Sequence, residues 1–198
     1  MRHIPFLLVG FRMLLAPTVI LLGYQGSAFH AWIVLVCYLA LISDIFDGII
    51  ARYAQVVTVK LRVWDCYADV VFWLSACWCI GLAFPTEVTQ HIYIIVPLLL
   101  LELVPDLIYY IRFRKGGCAH SYLGKTFGLV LLTNFTLLFG FHDTTLFTLT
   151  VVVGLLYQLD RIGIALILPS RVCDVPSAYH ARLIRKGIPF KKYKLFHS

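Results

Sequence analysis

Charged side chains are scarce in this sequence. Only 14% of its 198 residues are Asp, Glu, Lys or Arg, whereas 61% are hydrophobic. Apolar runs of about 20 residues are long enough to cross the hydrocarbon core of a bilayer. Soluble globular domains carry far more charge than this. The composition therefore excludes a soluble domain and indicates a polytopic membrane protein.

Six apolar runs are long enough to be membrane-spanning helices, and the connectors between them are short. The runs cover approximately residues 4–23, 28–50, 66–84, 91–112, 122–141 and 145–168. The sequence therefore predicts an all-α fold with six transmembrane helices, built as one membrane domain over residues 1–169. Residues 170–198 are predicted to form a basic cytoplasmic tail that lies on the lipid headgroups.

Three connectors contain no lysine or arginine, namely those near residues 24–27, 85–90 and 142–144. Because Lys and Arg concentrate in cytoplasmic loops, both termini are expected to be cytoplasmic. The net charge of +7 then indicates one basic membrane face, which attracts anionic lipids or anionic substrates. No nucleic-acid partner is expected, because no base-stacking platform or binding motif accompanies the charge.

The sequence also lacks zinc-type spacing of cysteine and histidine, low-complexity tracts and internal repeats. Its six cysteines are therefore interpreted as reduced, small hydrophobic residues. Many transporters consist of inverted repeats with ionisable groups near the bilayer midplane. A metal or proton transporter is kept as an alternative function, but the lack of a repeat does not favour it.

Four aspartates stand out against this apolar background, around the end of the second span and the start of the third. Their spacing is Asp44-x2-Asp47-Gly48-x2-Ala51-Arg52, followed by Leu61-x3-Asp65-x3-Asp69. At about 100° per residue, positions 44, 47, 48 and 51 share one helix face. Positions 65 and 69, four apart, share another. The pattern therefore predicts two carboxylate pairs that face each other across a short turn, near the cytoplasmic boundary.

Two interpretations of these carboxylates are open. In the first, they are boundary acids that pair with Arg52, Lys60 or Arg62. In the second, they hold divalent metal, because carboxylates in close array repel one another unless a cation lies between them. Oxygen ligands suit Mg²⁺, Mn²⁺ or Ca²⁺, and Arg52 is placed to contact phosphate oxygens. Four acids at this spacing favour the second interpretation, and with it phosphoryl chemistry assisted by two metal ions.

The aspartate spacing resembles the signature of the CDP-alcohol phosphatidyltransferase family, Asp-x2-Asp-Gly-x2-Ala-Arg-x8-Gly-x3-Asp-x3-Asp. Every fixed position of that signature except one is matched. The resemblance covers most of the chain, since the catalytic domain of that family is six membrane helices. The first span, with Ile4-Pro5, Phe11-Arg12 and Pro17, is similar to that of the phosphatidylglycerophosphate synthase branch. Gly124-Lys125 and Glu102 are also similar to residues of that branch.

The resemblance implies a reaction in which a phosphatidyl group passes from CDP-diacylglycerol to a small alcohol and CMP leaves. It implies two Mg²⁺ or Mn²⁺ ions, held by Asp44, Asp47 and Asp65 and bordered by Asp69. Asp69 is also the expected general base. The residues expected to line the pocket of the CDP diphosphate are Gly48, Ala51 and Arg52. A homodimer is implied as well, and the short chain suits a bacterial inner-membrane protein whose active site faces the cytoplasm.

Other charged residues lie within or beside the spans. Lys125 and Arg161 are expected to bind the phosphate of the acceptor, because each lies at a span end that faces the presumed cavity. Glu102 and Asp106, four apart, either orient the acceptor or pair with an arginine. Arg12 is costly inside a span and is interpreted as structural, bound to an acid.

The sequence departs from the family pattern at several positions. Leu61 stands where the signature has Gly, so the pocket is expected to be narrower or the loop reshaped. The other departures are Phe6, the pair Cys66-Tyr67, and Phe127-Gly128 after Gly124-Lys125. They spare the aspartates but leave the acceptor open.

Glycerol 3-phosphate is the first choice of acceptor, on the first-span similarity and Lys125. Inositol, inositol phosphate, serine and other alcohols stay open. The mirror reaction, from a CDP-amino-alcohol to diacylglycerol, uses the same signature but fits a chain of 198 residues less well. A non-catalytic relative is a further alternative, because of Leu61.

Overall fold

The computed structural model describes residues 4–54, 56, 58–117, 121–173 and 175–189. Eight α-helices contain most of them: α1 (Ile4–Tyr24), α2 (His30–Tyr53), α3 (Val59–Ala83), α4 (Pro85–Gln90), α5 (Ile92–Phe113), α6 (Tyr122–Phe135), α7 (Phe147–Ile167) and α8 (Ala178–Arg185). A 3-10 turn (Ser27–Phe29) precedes α2, and a π-helical segment (Thr136–Phe141) extends α6. The described residues contain no β-strand.

Six helical segments are long and apolar enough to cross a membrane: Ile4–Tyr24, Ser27–Ala51, Lys60–Ala83, Ile92–Phe113, Tyr122–Phe141 and Phe147–Ile167. The predicted all-α fold with six such helices is thereby confirmed. Large apolar side chains stay exposed on them. On α1, Leu7, Leu14 and Leu21 recur every seven residues and are each 65–69% exposed. Such an apolar stripe, uncovered by protein, is typical of a helix that contacts lipid.

Helix α3 begins earlier than the sequence predicted. The predicted start at residue 66 was wrong because Lys60, Arg62 and Asp65 interrupt the apolar run. Thr58 is the N-cap of α3, and its Oγ1 accepts a hydrogen bond of 3.1 Å from the Leu61 amide. A threonine in this position satisfies one of the amides that a helix start leaves unpaired. As a result, Asp65 lies on a formed helix rather than at its entrance.

The chain forms two compact units. The first comprises Met1–Gln90 and Leu132–Leu146, and within it α1 packs against both α2 and α3. The α1–α3 contact requires a small residue at Gly23, where a Cβ would lie 2.7 Å from Cys79 Sγ. That thiol donates a hydrogen bond of 3.2 Å to the Val19 carbonyl. Small residues let membrane helices approach closely.

The second unit comprises His91–Leu131 and Phe147–Ser198. Within it α5 packs against α7, and α7 packs against α8. Tyr109, Ile164 and Ala181 are buried in one apolar cluster that joins these three helices. Asp160 Oδ1 accepts a hydrogen bond of 2.8 Å from the Ala178 amide, at the first residue of α8. Helix α8 lies in the segment predicted to be a surface tail, and the structure anchors it by one buried alanine and one capping carboxylate.

The cysteines differ in oxidation state. Cys37, Cys66, Cys77 and Cys79 are free thiols, as predicted. Cys173 is disulfide-bonded, so the prediction of reduced cysteines is wrong for this residue. Spacing along the chain does not reveal such a bond, because bonding depends on which segments the fold brings together. Disulfides persist in oxidising compartments, whereas the positive charge around Cys173 predicts a cytoplasmic location, and the orientation of the chain stays a prediction.

Candidate active site

The C-terminal turns of α2 and the N-terminal turns of α3 supply four carboxylates, here called the aspartate cluster (Asp44, Asp47, Asp65 and Asp69). Three of these residues, Asp44, Asp47 and Asp65, each offer an oxygen, and the three oxygens lie within 4.8 Å of one another. The prediction that carboxylates from two neighbouring helices face each other is confirmed.

Burial differs across the aspartate cluster. The side chain of Asp47 is 6% exposed and that of Asp65 17%, whereas Asp69 and Asp44 are 31% and 37% exposed. Asp47 therefore forms a buried floor, and Asp44 and Asp69 form an accessible rim. A buried carboxylate is unfavourable unless a cation or hydrogen-bond donors compensate its charge. The cluster must accordingly bind positive charge.

Arg12 of α1 supplies one such charge. Its Nη2 lies 2.6 Å from Asp47 Oδ2 and 3.3 Å from Asp44 Oδ1. Its Nη1 lies 2.8 Å from Asp65 Oδ1 and also bonds to Asp69. The side chain of Arg12 is only 1% exposed. The prediction that Arg12 binds an acid is confirmed, and the structure extends it to all four aspartates.

The residues of the aspartate cluster fit a divalent cation. Four carboxylates face one guanidinium, so Arg12 alone does not balance their charge when all are ionised. The donors are all hard oxygens, which Mg²⁺, Mn²⁺ and Ca²⁺ prefer. Two oxygens bound to one such ion lie at most about 4–5 Å apart, given metal–oxygen distances of about 2.0–2.6 Å. The three oxygens within 4.8 Å of one another satisfy that limit.

Leu61, the one departure from the signature, is a core residue. It lies in the first turn of α3 and is 5% exposed, packed in one cluster with Val9, Ala51 and Ala68. The expectation of a reshaped loop at this position is wrong, because the cap at Thr58 makes residue 61 helical. The leucine therefore fills the space between α1, α2 and α3.

The residues expected to line a diphosphate pocket differ in their placement. Gly48 is half-buried on α2, one residue after Asp47. Ala51 is buried in the apolar cluster of Leu61. Arg52 lies in the last turn of α2, and its side chain falls outside the described part of the chain.

A second ionic network lies inside the second unit. Arg161 donates from Nη1 to Glu102 Oε1 at 2.5 Å and to Gln158 Oε1 at 3.1 Å, and from Nη2 to Asp106 Oδ2 at 3.1 Å. Gln158 also donates to Glu102. The interpretation that Glu102 and Asp106 pair with an arginine is confirmed. Lys125, the other cation expected to bind the acceptor, is exposed in the first turn of α6.

Two polar residues of these networks were not anticipated from the sequence. Ser43 accepts a long hydrogen bond of 3.4 Å from Arg12 Nε and donates one of 2.8 Å to the Ala40 carbonyl. Gln158 is fully buried beside Arg161. Its position three residues before Arg161 was the available signal, because residues three apart share a helix face.

One comparison with known proteins identifies relatives. A family model described as CDP-alcohol phosphatidyltransferase matches residues 2–166, which is most of the chain. No curated protein and no solved structure matches the chain.

Proposed function

Because the chain belongs to the CDP-alcohol phosphatidyltransferase family, we propose that it moves a phosphatidyl group from CDP-diacylglycerol to glycerol 3-phosphate and releases CMP. Membership makes it a phospholipid-synthesising transferase that acts on a CDP-alcohol and an alcohol acceptor. The diacylglycerol donor and the identity of the acceptor are the proposed parts.

The observation that carries the proposal is the aspartate cluster. Carboxylate oxygens from two helices lie within 4.8 Å of one another, at the sequence spacing of the family signature. Simple ion pairing accounts for two acids around one arginine, as around Arg161. The cluster carries more negative charge than Arg12 balances, as expected of a centre that binds divalent metal and an anionic substrate.

In the proposed metal centre, Asp44, Asp47 and Asp65 hold two Mg²⁺ or Mn²⁺ ions, bordered by Asp69. When bound, these ions neutralise the diphosphate of the donor and stabilise the charge that develops during phosphoryl transfer. Asp47 is the most buried of the four ligands. Gly48, the next residue, carries no side chain that would hold the nucleotide away from α2, and Arg52 binds the phosphate oxygens.

Asp69 acts as the general base. Its carboxylate accepts the proton of the acceptor hydroxyl, and the hydroxyl oxygen forms a bond to the phosphorus that carries diacylglycerol. The bond from that phosphorus to the oxygen of CMP breaks, and its electron pair leaves with CMP. The partial exposure of Asp69 supports this role, because an acceptor from the aqueous phase has to reach the base.

The choice of glycerol 3-phosphate as acceptor rests on two cationic side chains. Lys125 and Arg161 would bind the phosphate of glycerol 3-phosphate. Lys125 is exposed, whereas Arg161 already bonds to Glu102, Asp106 and Gln158. The two carboxylates more than offset the charge of Arg161. This favours a second candidate, an uncharged polyol such as inositol, which needs hydrogen-bonding partners rather than an excess of positive charge.

The proposed setting is a bacterial cytoplasmic membrane, with both termini and the aspartate cluster on the cytoplasmic side. The distribution of Lys and Arg supports this orientation. A homodimer is proposed from the family alone. Residues 170–198 are proposed as a basic tail outside the membrane domain of residues 1–169, which is compatible with the exposed Arg182 and Arg185 on α8.

An acceptor panel tests the proposal. Purified full-length protein is given CDP-diacylglycerol, Mn²⁺ or Mg²⁺, and in separate reactions glycerol 3-phosphate, inositol, inositol phosphate or serine. The expected result is CMP release and a new phospholipid with glycerol 3-phosphate, abolished by EDTA. Release only with another alcohol moves the assignment to that acceptor.

The same protein in liposomes distinguishes the proposed transferase from a transporter, the rival class of function. Metal or proton flux without CMP release from any alcohol would identify a transporter. Neither flux nor CMP release would identify a non-catalytic relative.

A further inference from the structure

Arg12 is bound by more carboxylates than an arginine needs for charge balance. It contacts all four members of the aspartate cluster, two through each terminal nitrogen. We propose that Arg12 is a positioning residue that competes with divalent cations for these carboxylates and so sets the metal affinity of the centre. The inference rests on the proposed function, since it requires that the cluster binds metal.

The contacts of Arg12 are arranged by helix. Nη2 hydrogen-bonds to Asp47 and forms an ion pair with Asp44, both on α2, and Nη1 hydrogen-bonds to Asp65 and Asp69 on α3. A planar guanidinium presents its donors in a fixed fork. Arg12 therefore links the carboxylate pair of α2 to that of α3 and occupies the space between them.

Each of the four contacts with Arg12 uses one oxygen of a carboxylate. The oxygens are Oδ1 of Asp44, Oδ2 of Asp47, Oδ1 of Asp65 and Oδ1 of Asp69. A metal ion needs oxygens of the same carboxylates. Guanidinium and metal therefore draw on one set of ligands, and any stabilisation of the aspartates by Arg12 reduces the gain from metal binding.

Arg161 provides an internal comparison. Its side chain is 10% exposed against 1% for Arg12, and within the described part of the chain it pairs with two carboxylates, together with the neutral Gln158. Arg161 faces two acids, whereas Arg12 faces four. The network around Arg161 fits a structural ion pair, and the network around Arg12 fits a centre with room for further cations.

Arg12 also bears on the anionic substrate. Two divalent ions carry as much charge as the four carboxylates, and Arg12 adds one positive charge to them. That charge is fixed on α1 and 1% exposed, so it does not leave when the metal dissociates. It therefore favours binding of a diphosphate at a metal-loaded centre.

The test measures Mn²⁺ affinity by electron paramagnetic resonance on detergent-purified, full-length Arg12→Gln and Arg12→Lys. The glutamine variant removes the charge, and its dissociation constant for Mn²⁺ is expected to fall at least about tenfold. The lysine variant keeps the charge but has no fork, and a fall of about threefold is expected. Arg171→Gln is the matched control, because Arg171 carries the same charge but bonds to the Gly116 carbonyl instead. Its Mn²⁺ affinity should equal that of the wild type.

Thermal unfolding supplies a second readout. Removing Arg12 leaves buried carboxylates unbalanced, so the glutamine variant should melt lower than the wild type without metal. Added Mn²⁺ should then raise its melting temperature more than that of the wild type, because ligand binding stabilises the folded state in proportion to affinity. If the glutamine variant does not fold, the lysine variant decides the question.

The proposal would be overturned if neither folded variant bound Mn²⁺ more tightly than the wild type. None of these measurements depends on turnover. If the wild-type protein released no CMP, the proposed function would be overturned, but the effect of Arg12 on Mn²⁺ affinity would still be measurable.

Discussion

Asp47 and Asp69 have the same side chain but different surroundings. Both bond to Arg12, but Asp47 is buried on α2, whereas Asp69 lies one turn beyond Asp65 on α3 and is partly exposed. A buried carboxylate suits a cation that stays in place. A carboxylate that solvent and substrate can reach suits proton transfer. This difference in exposure separates Asp47 from the proposed base, but not Asp44, a proposed ligand that is 37% exposed.

Asp69→Asn is expected to lower kcat by at least about 100-fold, because an amide does not accept the acceptor's proton. The variant keeps the shape of the side chain, so melting temperature should change little. CMP release and thermal unfolding are measured together. Asp143→Asn is the control, since Asp143 bonds to the Thr145 amide in a connector and should leave kcat unchanged. A fully active, folded Asp69→Asn protein would exclude Asp69 as the base.

Leu61→Ala is expected to lower the free energy of unfolding by about 2–5 kcal/mol, as for other buried leucines. Leu61→Gly, which restores the signature residue, should lower it by about a further 1 kcal/mol through helix propensity. Thermal unfolding measures both. Leu14→Ala is the control, because Leu14 is 69% exposed on α1 and little stability should depend on it.

A Leu61→Gly protein of unchanged stability and lower KM for CDP-diacylglycerol would contradict this account. It would show that the leucine crowds the nucleotide instead of filling the core.

At the residue scale, the sequence predicted which aspartates meet but not how many partners Arg12 has. Spacing of three or four residues along one helix is visible in a sequence, and Asp44, Asp47, Asp65 and Asp69 were found that way. Arg12 lies 31 to 57 residues from its partners along the chain. Only the packing of α1 between α2 and α3 brings them together.

Helix α1 offers a test of packing at the scale of an element, because it has two glycines in opposite settings. At Gly23 a Cβ would lie 2.7 Å from Cys79 Sγ, whereas at Gly10 nothing lies within 4 Å. Gly23→Ala is expected to lower the free energy of unfolding by about 1–3 kcal/mol through overpacking. Gly10→Ala should be neutral or stabilising by up to about 1 kcal/mol, because alanine favours a helix.

Melting temperatures of the two variants in the same detergent check this prediction. A Gly23→Ala protein as stable as Gly10→Ala would mean that α1 and α3 are not held at the described distance.

The elements themselves were largely predictable from hydropathy. The six spans were found because runs of about 20 apolar residues have few other uses. The start of α3 was missed because its first turns carry Lys60, Arg62 and Asp65. The short helices α4 and α8 were missed too, since their lengths and composition do not differ from those of connectors. The π-helical end of α6 falls inside the predicted span of residues 122–141, but hydropathy does not distinguish a π-helix from an α-helix.

The orientation of the whole molecule in the membrane is testable. The Lys and Arg distribution predicts a cytoplasmic C-terminus, and the disulfide at Cys173 is unusual for that compartment. A C-terminal green fluorescent protein fusion is expected to fluoresce in bacterial cells, and a C-terminal alkaline phosphatase fusion is expected to be inactive. Active phosphatase without fluorescence would reverse the orientation and place the aspartate cluster outside the cytoplasm.

The charged residues show which features of the whole molecule a sequence can predict and which it cannot. Net charge and the placement of Lys and Arg are readable without a fold. The pairing of Glu102 and Asp106 with Arg161, on helices α5 and α7, could be offered only as one of several options. The disulfide at Cys173 was not visible at all, because the sequence does not fix the distance between connectors.

The central claim is that the aspartate cluster binds divalent metal and, through it, the diphosphate of CDP-diacylglycerol. Anomalous diffraction at the manganese edge, from crystals of the full-length protein grown with Mn²⁺ and CDP-diacylglycerol, tests it most directly. The account predicts a manganese peak bounded by Asp44, Asp47 and Asp65, with the diphosphate against it. Crystals that contain the bound lipid nucleotide but show no manganese among these carboxylates, with Arg12 still bonded to all four, would contradict it.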